Sequence, residues 1–134
     1  VSAGSKKPAS PGERKKPTLA VALDLDEAAV EDIETTEEKL SELPWEEVKS
    51  SYLRRIAWCE TEKLESHLGA SVYLKLGWLW VEFQEGRIYG YEQVPWATYE
   101  ALRIASSPGG AFHKLIKGRY RYVAWAERKA WVEP

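Results

Sequence analysis

Residues 73–95, YLKLGWLWVEFQEGRIYGYEQVP, constrain the fold more than any other stretch of the chain. Leu79, Val81 and Phe83 alternate with Trp78, Trp80 and Glu82, and a period of two puts alternate side chains on opposite faces of a strand. Gly86 interrupts the run. With Glu85 and Gly86 as a two-residue loop, glycine supplying the positive φ that tight hairpin turns need, Gln84 stands opposite Arg87. Counting back along the ladder pairs Phe83 with Ile88, Glu82 with Tyr89, Val81 with Gly90 and Trp80 with Tyr91. This register predicts a core face of Leu79, Val81, Phe83 and Ile88 and a second face of four rings, Trp78, Trp80, Tyr89 and Tyr91. Such a face is either a binding surface or core beneath helices, and both readings stay open at this point.

The flanks differ from this centre. Residues 1–18 carry five basic residues against Glu13 and almost nothing apolar, and they read as a disordered basic tail. Residues 19–49 form an acidic, partly helical extension, with eleven acids against Lys39 and Lys49. Within it Val30, Ile33, Leu40 and Leu43 fall at roughly helical spacing, which predicts one helix between Asp26 and Leu43 that docks weakly or stays partly unfolded. The carboxylate pairs there read as a solvated face, since neither a His nor a Gly-rich loop accompanies them. Residues 51–134 hold twelve basic residues against nine acidic ones, so the remainder is mildly basic although the whole chain is at -2.

Residues 50–134 supply the rest of an α+β domain. Tyr52, Arg54, Ile56 and Trp58 alternate with Leu53, Arg55 and Ala57 as a short strand. Residues 60–70 read as a loop or a single helical turn. After the hairpin, Pro95 opens a helix to about Ser106, the run Ser107, Pro108, Gly109, Gly110 breaks it, and a second helix spans 111–118 with Phe112, Leu115 and Ile116 inward. Residues 119–125 alternate as a closing strand, with Arg119, Arg121, Val123 and Trp125 on one side and Tyr120 and Tyr122 on the other. The expected fold is a small antiparallel sheet of three to four strands with a central hairpin and two helices packed on one face.

In order along the chain, Ser50-Ser51, Leu79, Val81, Phe83, Gly86 and the pair Tyr89-x-Tyr91 are followed by Val94-Pro95, Tyr99, Leu102, Ala105 and Ser107. A glycine at 109 or 110, Phe112, Ile116 and Tyr120 complete the series. In these positions the stretch from Ser50 to Tyr122 resembles a KTSC domain, a small module named after the C-terminal region of some lysyl-tRNA synthetases and found alone in bacterial and phage proteins. Two features depart from the family pattern: His113 stands where Asn is usual, and residues 59–72 make a longer first connection. The resemblance implies a compact α+β unit for which RNA binding has been proposed, and it brings no catalytic residues.

The residues themselves point to a non-enzymatic binding module. A single cysteine, Cys59, excludes an internal disulfide, and one Cys with two distant His residues, His67 and His113, cannot complete a structural zinc set. No phosphate-cradling glycine motif or nucleophile with a matched base is present, so neither a cofactor nor a metal is expected. No apolar run is long enough for a membrane span, and a cytoplasmic protein is the default expectation. The leading reading is RNA or single-stranded nucleic acid as partner. Trp78, Trp80, Tyr89 and Tyr91 would stack bases, while Arg54, Arg55, Arg87, Lys114, Lys117, Arg119 and Arg121 meet phosphates. The alternative is a protein-interaction module of the kind a phage or bacterial regulatory protein carries, docking through the acidic segment or the Trp-rich face.

Overall fold

Helices cover both faces of a single antiparallel sheet. The computed structural model describes residues 17–65 and 73–125. Their order is α1 (Leu19–Leu23), α2 (Glu27–Val30), α3 (Ile33–Ser41), β1 (Glu46–Glu47), β2 (Leu53–Glu65), β3 (Tyr73–Phe83), β4 (Ile88–Pro95), α4 (Trp96–Arg103), α5 (Pro108–Leu115) and β5 (Tyr122–Trp125). Among the described residues the sheet has five strands, paired in chain order. The α+β class stands, with a strand more than the three to four expected.

The hairpin forms with one more loop residue than expected. The Phe83 N–H donates to the Arg87 carbonyl at 2.9 Å and the Gly86 N–H to the Phe83 carbonyl at 2.9 Å, so residues 84–86 make a three-residue loop with Gly86 at φ 108°. Leu79 therefore lies opposite Tyr91, Trp80 opposite Gly90, Val81 opposite Tyr89 and Glu82 opposite Ile88. A one-residue slip sends every side chain of the second strand to the other face. Tyr89 and Tyr91 join Leu79, Val81 and Phe83, and Ile88 crosses over to Trp78 and Trp80. The predicted four-ring face does not exist. Gly90 fits the corrected register, because a Cβ there would stand 2.6 Å from the Trp80 ring.

The β2 expectation needs a similar correction. Register shifts between Leu53 and Arg55 and between Glu60 and Glu62 break the simple alternation. As a result Leu53, Ile56 and Trp58 share one cluster, while Arg55 stands opposite Glu82 and Ala57 faces the tryptophans. β2 also runs on to Glu65 through residues expected to be loop. His67 and most of the predicted basic tail lie outside the described residues, as does the chain after Trp125.

On one face, α4 and α5 close a core of Leu53, Ile56, Leu79, Val81, Leu102, Phe112 and Ile116. α5 begins earlier than expected, because the residues read as a breaker form its first turn. Pro108 needs no N–H partner there, and the Ser107 hydroxyl accepts from the Gly110 N–H at 3.3 Å. On the other face Leu19, Leu23 and Leu40, each 3% exposed or less, pack with Trp78, Trp80, Val123 and Trp125. The predicted helix over 26–43 is split in two by Asp32, whose carboxylate accepts from the Glu34 N–H at 3.3 Å and the Thr35 hydroxyl at 2.7 Å and so starts α3 afresh. The buried Thr36 hydroxyl donates to the Val30 carbonyl at 2.9 Å and ties α3 to α2. The Trp45 indole N–H donates to the Leu40 carbonyl at 2.8 Å. Arg55 lies over that indole at 4.3 Å and pairs with the Glu82 carboxylate. Residues 19–43, set apart in sequence by their acids, thus share a core with the central hairpin.

The loop geometry predicts a measurable cost. Gly86→Val forces a β-branched residue to φ 108° and is expected to remove about 1–3 kcal/mol of stability, read as a lower urea midpoint at unchanged slope.

Candidate nucleic-acid interface

The corrected register gathers aromatic rings at the loop end of the hairpin, on the face covered by α5. Tyr89 and Tyr91 arrive on β4 and Phe83 on β3, and Phe112 comes down from α5. Tyr122 on β5 stacks on Tyr89 with ring centroids 5.1 Å apart and planes 7° apart. Tyr52 completes the group from the turn before β2. The Ser50 hydroxyl fixes that turn by accepting from the Tyr52 N–H at 3.0 Å and the Leu53 N–H at 3.1 Å. The Gln84 amide of the hairpin loop donates to the Ser50 carbonyl at 3.0 Å and the Leu53 carbonyl at 3.1 Å. Tyr52 stands 40% exposed, 5.2 Å from Phe83 and stacked on His113 at 5.2 Å.

These rings enclose an open cleft of about 430 Å³, whose rim is completed by Glu85, Lys117 and Gly118. Its walls are aromatic, with tyrosine hydroxyls among them. Tyr91 is 4% exposed, and burial, with Tyr89, Tyr122 and Tyr52 beside it, raises its phenol well above the usual tyrosine range. Arg87 hydrogen-bonds to the Tyr89 hydroxyl, which together with Glu85 raises its already high pKa. Across the stacked pair Tyr52 and His113 lies a second hollow of about 420 Å³ lined by Lys49, Ser50, Ser51 and Ser107 among others. Tyr52 lines both hollows.

Of the eleven residues singled out in the sequence, the structure brings Tyr89, Tyr91, Arg87 and Lys117 to the cleft. Lys114 and Arg119 are exposed beyond it at the end of α5, where the Arg119 Nε–H donates to the Lys114 carbonyl at 2.7 Å. Arg121 bonds through Nε to Glu92 at 2.6 Å. Arg54 sits on the opposite side of the sheet, 3.8 Å from the Glu82 carboxylate that also pairs with Arg55. Trp78 and Trp80 are 8% and 1% exposed and stack on each other in the other core. An indole 1% exposed has no face to offer a base, so the expected role of these two tryptophans is corrected to packing. Sequence reasoning missed Tyr52, Phe83, Phe112, Tyr122 and Glu85 as cleft residues. The signal for them was the loop length, since a three-residue loop ending in glycine is the next commonest hairpin connection and places Tyr89 and Tyr91 beside Phe83.

Residues 75–120, from β3 through α5, match the KTSC domain. That match lies within the stretch whose motifs carry the resemblance and includes most of the cleft, with Tyr122 just beyond its end and Tyr52 well before its start. Two curated relatives share 44 residues with the chain: a lysine–tRNA ligase of Trichormus variabilis at 46% identity and one of Nostoc sp. at 48%. The shared segment is 33% of this chain and 8% of each relative. Among the described residues no helix is long and apolar enough to cross a membrane, and no three His, Cys, Asp or Glu side chains gather as metal ligands would.

Proposed function

We propose that the chain is an RNA-binding module that admits an unpaired base to the tyrosine cleft. The observation that carries this reading is the cleft itself: six aromatic rings around an open hollow, with Arg87 and Lys117 at its edge. Single-stranded RNA is bound elsewhere by splaying bases onto aromatic side chains beside cations that meet the backbone. The similarity of the same segment to part of two enzymes named for tRNA supports it. The acidic extension does not cover this cleft, because residues 19–43 pack on the far side of the sheet. No catalytic step is assigned.

The test is anisotropy of a labelled single-stranded oligoribonucleotide. Binding is expected to weaken by about 1–3 kcal/mol, or roughly 5- to 150-fold, in Tyr89→Leu and in Tyr122→Leu. Lys117→Ala is expected to reduce the dependence of affinity on salt, since one fewer counterion is released. Equal affinity of wild type and both tyrosine variants would remove the cleft from the interface.

One observation favours a protein partner as a second reading. Where β2 and β3 run past the end of β4, Leu64 stands opposite Leu74, and each is 46% exposed. A pull-down that depends on these two leucines and not on Tyr89 would put the interaction module first.

A further inference from the structure

The cleft is not chemically uniform around its rim. Two of its lining residues are charged, Glu85 on the hairpin loop and Lys117 beyond α5, and they ask for opposite things of a ligand. A carboxylate only accepts hydrogen bonds and an ammonium only donates them. We propose that this pair selects guanine among the unpaired bases, an inference that rests on the RNA-binding reading above.

The edge that guanine presents when unpaired runs acceptor, donor, donor: O6, then N1–H, then the 2-amino group. Only guanine among the four bases has two neighbouring donors on that edge, which one carboxylate can take with its two oxygens. Adenine, cytosine and uracil each offer a carboxylate a single donor there. With the base plane against the tyrosines, Glu85 would accept from N1–H and the 2-amino group while Lys117 donates to O6. The sequence places Glu85 in the hairpin loop. The tip of the three-residue loop places it at the cleft mouth, where it also borders a hollow on the hairpin's other side.

A cage of aromatic rings with a carboxylate at its rim also suits a quaternary ammonium ion. The local charge argues against that ligand. Lys117 lies on the same cleft and Arg87 is bonded to one of its tyrosines, so two cations outweigh Glu85 at the mouth and would repel a third.

The experiment uses the full chain and labelled U-rich hexaribonucleotides that differ in one central base: G, A, C, U or inosine, which lacks the 2-amino group. The guanine oligomer is expected to bind about tenfold more tightly than the uracil one, with inosine falling to the level of the others. Glu85→Gln, at an exposed loop position, is expected to collapse the guanine-to-uracil ratio to about twofold or less, because the amide replaces one acceptor by a donor. The ratio is the readout, since loss of a negative charge raises affinity for every oligomer alike. Equal binding of all five oligomers overturns guanine selection and leaves the RNA reading standing. Absence of binding by any of them at low salt overturns both. Competition by tetramethylammonium at concentrations where sodium does not compete would assign the cleft to a cation instead.

Discussion

Trp80→Ala is expected to cost about 3–5 kcal/mol of folding stability, which is a large part of the roughly 5–15 kcal/mol that holds a small domain together. The indole is 1% exposed, stacks on Trp78 at 5.9 Å and fills the space that Gly90 leaves across the ladder. Removing it leaves a cavity bounded by two strands of the sheet and α1, and the strands cannot collapse into it without breaking their ladder. Urea unfolding of the variant should show the loss directly. For whatever fraction stays folded at low temperature, RNA affinity should match wild type, the reverse of the pattern expected for Tyr89→Leu. A cost below about 1 kcal/mol would mean that the indole lies outside a packed core.

Removal of residues 1–44 is expected to have an effect of the same order. The truncation deletes Leu19, Leu23 and Leu40, all buried against the tryptophans, and each such side chain contributes about 1.5–3 kcal/mol by burial. It also bares Trp78, Trp80 and Trp125 together, an apolar patch of the kind that drives self-association. Charge alone would predict the opposite outcome, because the deleted segment is acidic and its loss leaves a mildly basic remainder that should hold RNA more tightly. Magnitude decides between the two effects. The charges act on RNA affinity and are screened by salt, whereas the leucines act on folding, at roughly 4.5–9 kcal/mol for the three, and a chain that does not fold has no cleft to bind with. The fragment 45–134 should therefore run as aggregate on gel filtration and lack cooperative melting. A monomeric fragment with a sharp thermal transition would show that α1 to α3 are accessory.

The elements of the sheet and the helices after it were legible in the sequence because each obeys a local rule. The alternation of 78–83 marked β3, Pro95 marked the start of α4, and the side-by-side assignment of Tyr122 against Val123 and Trp125 held. What failed were quantities that depend on a count. A loop of three residues rather than two moved Tyr89 and Tyr91 to the opposite face, and with them the whole candidate site. The bulge between Leu53 and Arg55 did the same to Leu53, which joins Ile56 and Trp58 instead of Arg55 and Ala57. A hydrophobic pattern has no memory of an extra residue, so parity lost at a bulge cannot be recovered downstream from the pattern alone. The N-terminal helices failed for a different reason. Their few leucines are too sparse to announce a buried face, and only the tryptophans they meet, some forty residues or more along the chain, give that face its purpose.

The cluster that joins Leu19 and Leu23 to Val123 and Trp125 also sets an order of events during synthesis. The sheet is a meander whose strands pair with their neighbours in sequence, so each can add as it leaves the ribosome. α1 cannot finish its packing in that way, because part of its partner surface is the last strand described. Until residue 125 has emerged, the paired indoles of β3 face water or a half-built pocket. On a nascent chain they form the sticky side, and a chaperone that binds aromatic segments would find its site there for as long as translation lasts.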